Sequence, residues 1–325
     1  MKIKFLALSL SLLLLGGCAP APASEAPASG LTVVCAAFPE YSWVRAIVGD
    51  APGIDIQLLI QNGVDTHNYQ PSVQDIVAAA NCDLLVYNGG PSEAWLADTA
   101  AQYRGGKETV CLMDLLRDRL LMEDNGSVLQ AERGSADSLE IDEHVWLSLK
   151  NAEVCIPALR AALSALDPGG AERCAENAAR YQAALEELDR AYQTAVADAE
   201  TRELVFADRF PFLYLLNDYG VAHTAAFPGC SAESEASFHT LVELTDKLNT
   251  LRLPAVLVME GSNDALAKAV VAGSDDPDRG ILVLNSMQSV TKKELASGAD
   301  YLSIMRENLA VLEEVMGENH VSDNS

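Results

Sequence analysis

The sequence predicts an α/β protein made of two doubly wound parallel-sheet lobes joined by one long linking helix, with a ligand cleft between the lobes. Three observations carry that expectation. From Leu31 onward short β-rich runs alternate with amphipathic stretches, the pattern of parallel strands covered by helices. The alternation occurs twice, on either side of Ala171–Glu200, a segment of Ala, Glu, Leu, Arg and Gln with no internal Gly or Pro. Apolar residues make up 49% of the chain, and roughly 300 residues follow the leader, enough for two cores at about 100–200 residues per domain.

The chain opens with Lys2 and Lys4 ahead of an apolar run from Phe5 to Leu15, closed by Gly16, Gly17 and Cys18. This is the anatomy of a bacterial secretion signal. The run falls short of the about 20 apolar residues a membrane span requires. Leu15-Gly16-Gly17-Cys18 resembles a lipobox, which makes residues 1–17 the signal peptide and Cys18 the lipid-bearing residue; an ordinary signal peptide with an incidental cysteine is the alternative. Residues 18–30 are almost all Ala, Pro, Ser, Glu and Gly, too polar and small to offset the entropy of ordering, and read as a tether.

The N-terminal lobe is expected over residues 31–168. Its candidate strands are Leu31–Cys35, Ile54–Ile60, Asp83–Tyr87 and Thr109–Leu112, and Asp124–Asp137, rich in Gly, Ser and acidic residues, reads as an exposed loop. Ser148 caps a helix running toward Leu166, which Asp167-Pro168-Gly169-Gly170 stops. Residues 169–201 form the linking helix, about 40 Å or more at 1.5 Å per residue, the scale of a whole domain. The C-terminal lobe follows over 202–318, with candidate strands Leu204–Ala207, His223–Ala226, Ala255–Met259 and Ile281–Leu284 and a closing helix Tyr301–Val315; residues 319–325 are a polar tail. Open α/β sheets bind ligands at the carboxyl ends of their strands, here in the cleft between the lobes.

A formal net charge of −25 argues against nucleic acid and anionic membrane surfaces as partners, because both reward basic patches. Cys35, Cys82, Cys111, Cys155, Cys174 and Cys230 are widely spaced with no CxxC pair, so they do not form a thiolate metal site of the usual spacing. They read mostly as buried small hydrophobes, with disulfides permitted outside the cytoplasm.

The chain has five histidines. His67 lies in Asp65-Thr66-His67-Asn68-Tyr69-Gln70-Pro71-Ser72, after a strand and before a helix started by Pro71 and Ser72, with Asp75 at the capping-box position. His144 lies in Asp142-Glu143-His144-Val145-Trp146-Leu147-Ser148, between the acidic loop and the Ser148-capped helix. A lone loop histidine is more often a satisfied surface residue than a ligand; two in one lobe, each held at an element end, form a candidate metal pair. Imidazole nitrogen suits zinc, copper, iron and nickel, and added carboxylates move a site toward manganese. His223, His239 and His320 read as structural or solvent-facing.

These segments resemble a known family, the ABC-transporter solute-binding proteins for zinc and manganese, which carry a D-P-H-x-Y-E-P-S-like and a D-P-H-x-W-L-S-P segment. Asp65–Ser72 and Asp142–Ser148 match them, Asp83–Gly89 also resembles the family, and Tyr301–Leu309 is similar to its closing helix. The resemblance covers the whole mature chain. It implies an extracytoplasmic lipid-anchored monomer that binds Zn2+ or Mn2+ in the inter-lobe cleft and hands it to a permease and ATPase. His67 and His144 are the first two ligands it implies. A third ligand, His or Glu in the family, follows the first strand of the second lobe; alignment from Tyr214 places Arg209 there. A guanidinium has no lone pair to offer, so Asp208 beside it is the physically sensible ligand, with helix capping its other reading. The fourth position falls on Asn285, a neutral oxygen donor, with Glu260 as the competing candidate. Many zinc-specific members carry a histidine-rich loop between the two ligand segments; here it is acidic only. Two rivals remain: a surface metal-binding adhesin or store without a transport role, and a zinc hydrolase, for which no HExxH or comparable spacing exists.

Overall fold

The computed structural model describes residues 30–103, 105, 107–123, 141–229 and 236–317. The leader 1–17, Cys18, the tether up to residue 29, the loop Asp124–Asp137, Cys230, His320 and the tail 319–325 lie outside the described residues.

The first half runs β1 (Leu31–Cys35), α1 (Phe38–Val48), β2 (Ile54–Leu58), α2 (Val73–Asn81), β3 (Leu84–Tyr87), α3 (Ala94–Tyr103), β4 (Thr109–Cys111), α4 (Leu112–Leu115) and α5 (Leu149–Leu166). Next comes α6 (Ala171–Asp198), then β5 (Glu203–Phe210), α7 (Leu213–Tyr219), β6 (Ala222–Pro228), α8 (Phe238–Leu251), β7 (Ala255–Met259), α9 (Ala265–Gly273), β8 (Gly280–Leu284), α10 (Lys292–Ala296) and α11 (Tyr301–Met316). The two sheets share one topology, β2-β1-β3-β4 and β6-β5-β7-β8, and every pairing within them is parallel. Strand order therefore reverses beside β1 in one sheet and beside β5 in the other, and crevices open at the carboxyl ends of strands at such switch points. β3 and β7 are buried along their whole length, as parallel strands with helices on both faces must be. The two-lobed α/β fold is as the alternation of strand and helix patterns predicts.

One difference matters for the site. The sequence predicts the first strand of the second half over Leu204–Ala207. In the structure β5 continues to Phe210, with a shift of register against β6 between Phe206 and Arg209. Asp208 sits inside this irregularity, which re-aims side chains at the end of the strand.

At 28 residues, α6 is about 42 Å long. It packs on α1 and α5 of the first half and on α7 and α11 of the second. Its Leu185, Leu188, Tyr192 and Val196 join one buried apolar cluster that runs from Val33 and Trp43 under the first sheet to Phe206 and Val256 in the second. Buried Tyr192 donates to the Met305 carbonyl at 2.6 Å, tying α6 to α11. Cys35, Cys82, Cys155 and Cys174 are buried and Cys111 is half-buried. Among the described residues no helix is long and apolar enough to cross a membrane.

Candidate metal centre

Both histidines are held by an aspartate two residues earlier. After β2 the chain turns through Asn62 and Gly63, both with positive φ, and Asp65 then caps a short 3-10 turn, Thr66–Asn68, by accepting the His67 amide at 2.9 Å. Ser72 and Asp75 form the expected capping box at the start of α2, which fixes the far end of the segment. Asp142 accepts the His144 amide at 2.8 Å, a 3-10 turn follows over Val145–Leu147, and Ser148 caps α5 through the Asn151 amide at 3.0 Å. Two short polar side chains thus turn local sequence into fixed imidazole directions.

The His67 and His144 Nε2 atoms face each other at 3.0 Å, although 77 residues separate them. Each ring's other nitrogen has its own partner. His144 Nδ1 lies 2.9 Å from Asp142 Oδ1, and His67 Nδ1 lies 2.8 Å from Ser92 Oγ and 3.9 Å from Glu143 Oε2. Glu143 in turn accepts the Ser92 amide at 3.0 Å. The close approach of Glu143 depends on Gly90, whose φ of 82° favours glycine and where a Cβ would lie 2.7 Å from Glu143 Oε1. Gly229, from the second half, closes over the other ring: a Cβ there would meet His144 Cε1 at 3.0 Å. His144 is fully buried and 11% of the His67 side chain is exposed.

This network assigns the protons. In the neutral pair His144 Nδ1–H donates to Asp142, His144 Nε2 offers its lone pair, and His67 Nε2–H donates to it. Burial, then the neighbouring His144, lowers the His67 pKa to about 4. Burial also presses His144 toward neutrality, but the Asp142 charge and hydrogen bond, with Glu143 behind them, overcome it and raise its pKa. His144 is therefore the first of the two rings to take a proton. Two imidazoles oriented by carboxylate and hydroxyl partners are the usual form of histidine ligation. Nitrogens bound to one tetrahedral ion at about 2.0–2.1 Å stand about 3.3–3.4 Å apart. The observed 3.0 Å separation needs to open by only a few tenths of an ångström to fit that geometry.

The second half contributes differently. Asp208 Oδ1 accepts the Arg209 amide at 2.8 Å and Oδ2 the Met259 amide at 3.1 Å, so its carboxylate bridges β5 to β7. Asn285 Oδ1 accepts the Met287 amide at 2.8 Å, and the Asn285 backbone exchanges two 2.8 Å bonds with Asn308. Glu260 is occupied by the loop after β8, accepting from the Ser286 amide and hydroxyl at 2.7 Å each and from the Gln288 amide at 3.2 Å. Burial outweighs these bonds and raises its pKa. Among the described residues no group of three or more His, Cys, Asp and Glu side chains gathers to hold a metal ion. The structure brings His67 and His144 together and does not bring Asp208 to them. Arg209, where alignment from Tyr214 leads the sequence to expect a third ligand, reaches back to Asp65, with Nη2 2.5 Å from Oδ2.

Sequence reasoning missed Ser92, Glu143 and the Asp65–Arg209 pair. Asn88-Gly89-Gly90-Pro91-Ser92 directly after β3 is the available signal for the first, since the carboxyl end of a parallel strand is where such loops serve a site. His223 stacks on Phe210 at 3.7 Å between ring centres, and exposed His239 pairs with Glu243 at 3.2 Å on α8.

A family model described as zinc-uptake complex component A, periplasmic (ZnuA), matches residues 33–315. The chain belongs to the ZnuA family. Within that family it is 30% identical over 321 residues to the zinc-binding lipoprotein AdcA of Streptococcus pneumoniae, an alignment covering 96% of this chain and 60% of AdcA. The chain thus spans about three fifths of the length of that relative. It is 28% identical to the high-affinity zinc uptake system protein ZnuA of Bacillus subtilis, with 87% of each chain covered. The crystal structure of the Zn(II)-bound ZnuA-like domain of Streptococcus pneumoniae AdcA superimposes with a TM-score of 0.69 at 27% identity, covering 88% of this chain and 99% of that one. The periplasmic zinc-binding protein TroA of Treponema pallidum, at 24% identity and a TM-score of 0.69, shares the ZnuA-family fold.

Proposed function

We propose that this chain is the extracytoplasmic receptor of an ABC importer, a binding protein and not an enzyme, that captures Zn2+ between its two halves and delivers it to a membrane permease. The observation that carries the reading is the buried Nε2–Nε2 contact of His67 and His144, each ring oriented through its other nitrogen. In this reading the halves are lobes 31–168 and 202–318 joined by 169–201, and the receptor works as a monomer anchored by lipid on Cys18. Zinc is favoured over manganese because the two imidazoles that meet here make a softer donor pair than manganese prefers. The names of the relatives support the same cargo.

From the neutral pair, binding releases no proton: His144 keeps Nδ1–H on Asp142 and gives Nε2 to the ion, and the His67 proton passes from Nε2 to Nδ1, facing Ser92 and Glu143; from the protonated pair, one proton leaves to solvent. The test is competitive titration of Zn2+ and Mn2+ on the mature chain, wild type beside His67→Ala and His144→Ala. One tightly held zinc that both substitutions release is the expected result. Binding indifferent to both would refute the ligand assignment, and tighter manganese would refute the cargo.

A further inference from the structure

Arg209 presents a paradox: a cation stands beside a site built to attract one. Its surroundings resolve it. The guanidinium extends from the end of β5 in the second half across to Asp65 in the first, with 17% of the Arg209 side chain and 14% of the Asp65 side chain exposed. Asp65 uses one carboxylate oxygen for Arg209 and the other for the His67 amide, at 2.9 Å. On its own side Arg209 is anchored through its amide to Asp208, which is fixed to β7 by the Met259 amide. A continuous polar chain therefore runs from β7 through Asp208, Arg209 and Asp65 to the backbone of His67. The same loop meets the second half once more, where the Gly63 amide donates to the Val290 carbonyl at 3.2 Å.

We propose that Arg209 is a positioning residue for zinc capture, acting across the cleft on the Asp65 carboxylate and through it on the His67 turn, so that the second half shapes the site without ligating the ion. This rests on His67 and His144 being the ligands. Because the guanidinium's charge is taken up by Asp65 in a sparsely hydrated setting, it repels the bound ion little, while its Nη2–H donates to the carboxylate that orients the turn. Replacing it with a neutral side chain leaves Asp65 unpaired and free to leave the His67 amide, and removing such a support typically costs about 10–100-fold in metal affinity.

The experiment measures zinc affinity on the mature chain by chelator competition, with hydrogen exchange of the metal-free 62–70 segment, for wild type, Arg209→Gln, Arg209→Lys, Asp65→Asn and the double variant Asp65→Asn with Arg209→Gln. Expected are a loss of about tenfold or more for Arg209→Gln, faster exchange in that segment, substantial recovery with Arg209→Lys, and a double variant no weaker than the worse single one. Unchanged affinity in Arg209→Gln, or additive losses in the double variant, would overturn the proposal. Should Arg209→Gln not fold, Asp65→Asn decides, since its amide oxygen can still accept the His67 N–H while the ion pair is lost: affinity weakened about tenfold or more with faster exchange in the segment supports the tie, and unchanged affinity refutes it. His144→Ala separates the two levels. If it abolishes binding while Arg209→Gln does not weaken it, only the positioning role fails; if it leaves binding intact, the ligand assignment fails and the positioning role with it.

Discussion

The carboxyl ends of the two sheets have the same topology and opposite polar chemistry. In the first, aspartates and a glutamate turn outward to serve imidazoles: Asp65 and Asp142 hold the His67 and His144 amides, and Asp142 and Glu143 flank their rings. In the second, the acids turn inward. Asp208 ties β5 to β7, and Glu260 ties β7 to the loop after β8. A carboxylate whose oxygens are saturated by backbone amides has little left to give a cation, whereas one that accepts from a histidine strengthens that histidine as a ligand. The same residue types at equivalent ends of equivalent sheets therefore do different work, and hydrogen-bond accounting separates them where residue identity does not.

The largest test of this contrast is removal of an imidazole. His144→Ala and His67→Ala are expected to weaken zinc by more than the roughly 100-fold that loss of a supporting group can cost, read by chelator competition. Asp142→Asn and Ser92→Ala come next, with losses of about 10–100-fold in the same assay and little change in stoichiometry. The pH dependence has a definite sign. Asp142 and Glu143 raise the His144 pKa, so the proton competes with zinc at higher pH than an ordinary imidazole would allow, and affinity falls by about tenfold per pH unit once His144 is protonated. Asp142→Asn removes the main raising partner and shifts the onset of the fall to lower pH, a displacement visible in titrations at a series of pH values.

The smallest expected effects on binding lie in the second half. Asp208→Ala leaves the buried Met259 amide without its acceptor, at about 1–3 kcal/mol, which lowers the melting temperature by about 2–4 °C per kcal/mol. Its zinc affinity should shift by less than the roughly tenfold expected of a supporting residue. A loss as large as that of His67→Ala would erase the contrast by making Asp208 a ligand. Glu260→Gln, which keeps shape and part of the acceptor capacity, should cost about 1 kcal/mol and leave zinc affinity unchanged.

What could be read without the structure was what is written locally. The strand runs, the capping box at Ser72 and Asp75, the cap at Ser148 and the uninterrupted α6 each depend on neighbours a few residues away. His67 and His144 were recognisable because each sits in its own short motif at an element end. The second half of the site was not legible, because its decisive contacts are distant in sequence: Arg209 with Asp65 144 residues away, Asp208 with Met259 51 residues on, Glu260 with Ser286 26 residues on. The setting of Asp208 in particular is hidden from the sequence because the register shift in β5 is set by pairing with β6, and no property of Phe206-Ala207-Asp208-Arg209 itself announces it.

The apolar cluster that runs from the first sheet through α6 into the second predicts that the two halves unfold together. Calorimetry should show a single transition in place of two. Zinc held only by imidazoles of the first half should then raise the melting of both halves together, by about 4 kcal/mol when the free ion is a thousandfold above its dissociation constant. By the same linkage, a packing defect near Val256 in the second half lowers the fraction of chains able to hold an ion in the first.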